Sequence, residues 1–162
     1  MSKYQLIVVL INILFLTGVA HAAKPDWSKA EESHAKVREI DVYYSKTCGC
    51  CKKWMSHLRQ HDFKVNAKPV AYMRELKDKL GVPQEYASCH TGIIGGYLVE
   101  GHVPADDIKR ILKDKPDIKG LSVPAMPVGT PGMEQSNRKD PFYVITLPKK
   151  GEAEVYKAYE EY

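Results

Sequence analysis

The feature that most constrains this chain is a junction. Ile40, Val42 and Tyr44 alternate with Asp41 and Tyr43, and the run leads almost directly into Cys48-Gly49-Cys50-Cys51. Period-two alternation of β-branched and aromatic residues predicts a strand. After Gly49 the period changes. Cys51, Trp54, Met55 and Leu58 obey the i, i+3, i+4, i+7 rule and predict a helix to about His61 with those residues buried. A second strand is read from Phe63 to Val70. Strand, helix and strand in that order favour a parallel pair joined by a crossover, with three thiols at the strand-to-helix joint.

The rest of the chain extends this unit. Tyr72, Leu76 and Leu80 carry a second helical pattern stopped by Gly81 and Pro83. From Ser88 to Val103, two short apolar runs broken by glycines predict a hairpin, with Gly95-Gly96 and Glu100-Gly101 both eligible as its tight turn. Pro104-Ala105-Asp106-Asp107 opens a third helix with Ile108, Ile111 and Leu112 inward. Beyond Pro116 lies a Pro/Gly-rich loop, Val123 to Glu134, read as a lid or binding element. Two strands close the chain, Phe142 to Leu147 and Ala153 to Tyr159, around a Lys149-Lys150-Gly151 turn. The fold class expected is α/β: a mixed sheet flanked by helices, with the Pro/Gly-rich loop and a C-terminal β-hairpin.

The 162 residues, 44% of them hydrophobic, suffice for one domain with a core. A net charge of +4, scattered among acidic residues, argues against a nucleic-acid partner. Lys3 precedes an apolar run from Leu6 to Val19 that ends in Ala20-His21-Ala22. This pattern predicts a secretory signal peptide over 1–22, cleaved after Ala22. The run is short for a membrane span, so stable membrane insertion after cleavage is not expected. Residues 23–39 read as a polar arm or helix, with Ser28-Lys29-Ala30-Glu31 as a capping box and His34 solvated. Residues 40–162 form the domain proper. Export to the periplasm would place all four cysteines where disulfides persist.

Two chemistries compete at the junction. Cys48 and Cys51 make a Cys-x-x-Cys with Cys48 at a helix N-terminus, where free N–H groups and the dipole favour a thiolate. That is the layout of a thioredoxin-type redox pair, and the β-α-β-α-β-β-α order matches a thioredoxin-like sheet. Under a metal-independent thiol-disulfide oxidoreductase reading, these two residues are catalytic and Cys50 is superfluous. Cys50 supports the other reading. A rotation of about 100° per helical residue should splay it away from the Cys48/Cys51 line, which suits bridging between ions better than closing round one. Closed zinc sites use separated ligand pairs, so Cu(I) fits better. Cys89-His90 should face this cluster from the hairpin, although a capping or core role for His90 is the plain alternative. Met126 and Met133 in the Pro/Gly loop offer soft thioethers or simply fill gaps. His57 and His61, at i, i+4 spacing, read more readily as solvated side chains than as a site.

Cys48-Gly49-Cys50-Cys51-Lys52-Lys53-Trp54, Ser88-Cys89-His90-Thr91, Gly95-Gly96-Tyr97, Glu100-Gly101-His102-Val103-Pro104-Ala105 and Pro127-Val128-Gly129-Thr130-Pro131-Gly132-Met133-Glu134 together resemble the CopG family of periplasmic copper-resistance proteins. The resemblance runs from about Val42 to Glu134. It implies a thioredoxin-like fold and copper, as Cu(I) in a multinuclear thiolate cluster, held by Cys48, Cys50, Cys51, Cys89 and His90. It also implies copper-coupled thiol redox, which would make the chain a copper oxidoreductase. Copper efflux or periplasmic redox proteins are the partners such a role would call for, though the sequence itself does not reveal one. Ala125 stands where the family pattern has glycine, and Thr130 where it has serine.

Overall fold

The computed structural model describes residues 38–135 and 137–162. The expected signal peptide, the capping box at Ser28 and His34 lie outside the described residues.

The first strand, β1, spans Arg38–Tyr44 and buries Ile40 and Val42 completely. Helix α1 covers Gly49–Gln60, β2 Phe63–Pro69 and α2 Met73–Leu80. The hairpin is β3, His90–Ile94, and β4, Tyr97–Gly101. Gly95 and Gly96 form its turn, with φ of 57° and 84°. Both angles are in the left-handed region that a two-residue primed turn demands, so the other candidate turn, at Glu100-Gly101, is not used. Helix α3 is Ala105–Asp114, β5 Gly120–Val123, β6 Phe142–Leu147 and β7 Val155–Tyr159.

The seven strands of the described residues join one sheet in the order β2-β1-β3-β4-β5-β6-β7. The pairs β1/β2 and β4/β5 are parallel and the other four are antiparallel. Each parallel pair brackets a crossover helix, α1 in the first and α3 in the second. The expected mixed α/β sheet with a C-terminal hairpin is therefore present. Strand β5 was not expected: its Gly120-Leu121-Ser122-Val123 stretch is too short and too close to the Pro/Gly loop to show a period. All four of its residues are nevertheless buried, because it lies between β4 and β6.

The two faces of the sheet differ. Trp54, Met55 and Leu58 of α1 and Ile108 and Ile111 of α3 pack on one face with Ile40, Val42, Val99, Leu121, Val123 and Val144. Trp54 is wholly buried, and its indole N–H donates to the Val103 carbonyl at 2.9 Å. Truncating such a side chain typically costs about 3–5 kcal/mol. The opposite face has a smaller apolar cluster of Val82, Leu98 and Leu147, bordered by Leu80, Tyr86 and Ile93.

Two expectations about the helices need correction. Tyr72 is exposed and Leu76 only half-buried, while Lys77 is the one buried residue of α2. That helix docks through an ammonium, with Leu80 alone of the expected stripe packed on the smaller apolar cluster. His57 and His61 are buried, not solvated. Their rings lie 4.4 Å apart, and His57 Nε2 accepts the Ala105 N–H at 3.1 Å, which satisfies a donor at the start of α3. Among the described residues no helix is long and apolar enough to cross a membrane.

Candidate metal and thiol site

The first turn of α1 explains where the sulfurs go. Cys48 is its N-cap, with extended backbone at φ −74° and ψ 101°, and its sulfur accepts the Cys51 N–H at 3.2 Å. A cap residue lies outside the helical rotation, so its side chain folds back over the turn it caps. Cys48 and Cys51 are joined as a disulfide, with Cα atoms 5.4 Å apart. Cys50 and Cys89 are free thiols.

The folded-back cap overturns the expected splay. Cys50 Sγ lies 3.5 Å from Cys48 Sγ and 3.8 Å from Cys89 Sγ. All four sulfurs fall within 4.8 Å of one another. Cys51 is wholly buried, whereas Cys48, Cys50 and Cys89 keep a partly open side. Cys51 Sγ also sits 3.8 Å from the Cys89 carbonyl oxygen. The start of α1 and the start of β3 therefore meet as a single cluster, as the facing of Cys89 toward the junction predicted.

Cys89 is where this cluster meets a second. Its sulfur is 3.1 Å from His90 Nδ1 and 3.3 Å from His102 Nε2. His90 is completely buried, 4.2 Å from the Trp54 ring and 4.9 Å from that of His102, which it meets edge-on. His102 Nδ1 donates to the Pro131 carbonyl at 2.8 Å, which leaves Nε2 with its lone pair directed at the sulfur. Burial, then the neighbouring His102 and Lys77, holds the His90 pKa well below the usual imidazole value. Burial likewise lowers that of His102. Both rings are thus neutral, the form that binds metal. Burial and the adjacent Cys50 push the Cys89 thiol up to about 12. A metal ion entering here would therefore displace a proton from it.

The donor set fits a soft ion. Two free thiols, joined by two more once the Cys48–Cys51 disulfide is reduced, all within 4.8 Å of one another, with two neutral imidazoles and a buried His90 Nε2 that has no hydrogen-bond partner, supply thiolate and imidazole ligands and no carboxylate. The Pro/Gly loop is strapped across one side. Ser88 Oγ donates to the Ala125 carbonyl. A Cβ on Gly132 would lie 2.6 Å from Trp54 N and 3.1 Å from the Cys50 carbonyl, and the residue's φ is 86°, so only glycine lets the loop come this close. Met133 is buried beside it, whereas Met126 is 49% exposed.

Sequence reasoning did not assign His102 to the site. The hairpin register held the signal: Thr91 pairs with Glu100 across the Gly95-Gly96 turn. Stepping the same antiparallel register two residues outward sets Cys89 opposite His102. With the turn left undecided, that step could not be taken.

A family profile described as "Protein of unknown function, DUF411" matches residues 86–133, which include Cys89, His90, His102 and the strapped loop. No curated protein matches significantly. The solved structure titled "Copper resistance protein copG- Form 1" is 46% identical, with a TM-score of 0.73, covering 78% of this chain and 100% of that one. A second, "Copper resistance protein copG- Form 2", is 47% identical with a TM-score of 0.73, covering 76% of this chain and 99% of that one. Identity at that level across nearly the whole of both relatives shows the family, and the chain belongs to the CopG copper-resistance proteins.

Proposed function

We propose that this is an exported copper-binding protein that holds Cu(I) through Cys48, Cys50, Cys51, Cys89, His90 and His102 and thereby contributes to copper resistance. The observation that carries the reading is the position of Cys89 Sγ. It stands 3.8 Å from Cys50 Sγ, 3.1 Å from His90 Nδ1 and 3.3 Å from His102 Nε2, so one sulfur joins a thiol cluster to two neutral imidazoles. Thiolate with imidazole is a donor set suited to copper, and bridging sulfur favours more than one ion. Met133, buried next to Gly132, and Met126, 49% exposed, would be the further soft donors that the Pro/Gly loop offers.

The Cys48–Cys51 disulfide supports a redox role in the same pocket. Two Cu(II) ions take one electron each from the Cys48/Cys51 dithiol. The products are two Cu(I) ions, one disulfide and two released protons. A periplasmic thiol partner would restore the dithiol, and an efflux protein would take the Cu(I). The apolar run before Ala22 supports export to the periplasm. The strand order β2-β1-β3-β4, with α1 crossing between β1 and β2, supports a thioredoxin-like core.

Anaerobic Cu(I) titration with X-ray absorption tests the reading. The reduced chain should bind copper with mainly sulfur ligation and some nitrogen, the disulfide form should bind fewer ions, and Cys50→Ser should lower the stoichiometry. Unchanged copper binding by Cys50→Ser would remove the cluster. A second reading, metal-independent thiol-disulfide exchange, is favoured by the Cys51 N–H directed at Cys48 Sγ, which stabilises a thiolate there. It predicts insulin reduction without metal and indifference to Cys50→Ser.

A further inference from the structure

Behind the site lies a polar network that the copper reading does not use. Glu100, on β4, is completely buried. Its carboxylate accepts from the Lys77 ammonium of α2, from the Ser88 N–H at 2.7 Å and from the Thr91 hydroxyl at 2.6 Å. Lys77, 7% exposed, also donates to Thr91 Oγ1 at 2.8 Å. The two residues held by the carboxylate, Ser88 and Thr91, immediately flank Cys89-His90.

Strand alternation sets the direction of this grip. His90 points to the α1 face, where it meets Trp54. Thr91 and Glu100 point to the opposite face, the one that α2 covers, together with Ile93 and Leu98. The network thus holds the Cys89-His90 segment from the far side of the sheet while its ligand atoms face the cysteines. A buried ion pair is weak evidence for stability, since an apolar pair of similar size usually serves as well. What this pair adds is a charged acceptor that fixes a backbone N–H and a hydroxyl on both sides of a dipeptide.

We infer that Lys77 and Glu100 are positioning residues: with Ser88 and Thr91 they form a clamp that fixes where Cys89 Sγ and His90 stand relative to Cys50. The consequence for copper rests on the copper-binding reading above. The clamp itself can be tested without metal.

The test compares wild type with the Lys77→Met/Glu100→Leu double variant, which removes both charges and leaves neither uncompensated. With the Cys48–Cys51 disulfide intact, diamide can oxidise Cys50 and Cys89. The two thiols give up two electrons and two protons, the diamide becomes its hydrazine, and a Cys50–Cys89 disulfide forms. Wild type should form it at least about tenfold faster than the double variant, because small misplacements of reacting atoms are costly. Cu(I) affinity of the reduced chain should fall by about 10–100-fold, the effect typical of losing an outer support of a metal ligand, with loss of nitrogen from the X-ray absorption signal. Should the double variant not fold, Thr91→Val loses one donor at constant shape and Thr91→Ser restores it. Valine should then slow the diamide reaction and serine should not. Equal diamide rates and equal copper affinity in a folded variant would overturn the clamp. A wild type that reacts with diamide faster than the double variant yet binds no Cu(I) would instead remove the copper reading and leave the clamp standing.

Discussion

Among the described residues two carboxylates are completely buried, Glu100 and Asp107, and they are held in opposite ways. Glu100, behind Cys89-His90, takes hydrogen bonds from Lys77, Ser88 and Thr91. Asp107, in the first turn of α3, takes one from the Tyr159 hydroxyl at 2.8 Å. Its other oxygen has no hydrogen bond and faces Arg110 and Lys157 at 3.9 Å each. Burial accordingly raises the Asp107 pKa above the usual carboxylate value. A half-held buried charge takes up a proton more readily than a fully held one. Next to the thiol and imidazole donors the charge is held at every oxygen, and the chain there is correspondingly fixed.

The largest effect should come from breaking the better-held pair on one side only. Lys77→Met leaves the Glu100 carboxylate buried without its cation, and this typically costs about 3–5 kcal/mol. Urea unfolding of the metal-free protein reads it. A loss below about 1 kcal/mol would mean that the two carboxylates are equally tolerant of losing a partner, and the contrast between them would fail.

Acid should separate the two regions by sign. His90 and His102 are kept neutral by burial, so their folded pKa values lie below the ordinary imidazole value. As pH falls below about 6.5 the unfolded chain takes up protons that the folded one refuses. Stability should therefore fall by up to about 1.4 kcal/mol per pH unit for each group until the folded values are reached. Asp107 runs the other way. Its raised pKa means that the folded state binds the extra proton, so acidification toward the ordinary carboxylate value restores stability that is absent at neutral pH. His90→Asn should flatten the decline between pH 6.5 and pH 5 in metal-free unfolding experiments. An unchanged slope would show that His90 is not what resists protonation.

Much of this architecture could be read in advance because the determining signals are local. The Ile40-Val42-Tyr44 alternation, the Cys51-Trp54-Met55-Leu58 stripe and the acidic start of α3 each fix one element by themselves. The site was half legible for the same reason, since three thiols in four positions announce themselves. What escaped depended on pairing or context. His102 joins Cys89 only through the hairpin register. Lys77 carries no signal in the sequence, because only the folded sheet puts Glu100 beneath it. Cys50 stays with the other sulfurs because Cys48 is a cap rather than a helical residue. Ala125 shows what a resemblance adds: the glycine expected there suits a φ of 60°, which alanine adopts only with strain.

The smallest expected effect completes the contrast. In Asp107→Asn the amide oxygen can still accept from Tyr159, and the charge that burial disfavours is gone. What is lost is attraction from Arg110 and Lys157, whose side chains are 46% and 35% exposed and whose charges are largely screened by water. The two changes nearly offset, so stability at neutral pH should move by less than about 1 kcal/mol in either direction. The variant should also lose the part of the pH dependence that runs upward on acidification, leaving the histidine decline steeper than in wild type. Urea unfolding from pH 4 to pH 7 measures both. If Asp107→Asn cost as much as Lys77→Met, the single hydrogen bond from Tyr159 and the two distant cations would be holding Asp107 as firmly as Glu100 is held. The protein would then have two clamps, only one of which lies behind the site.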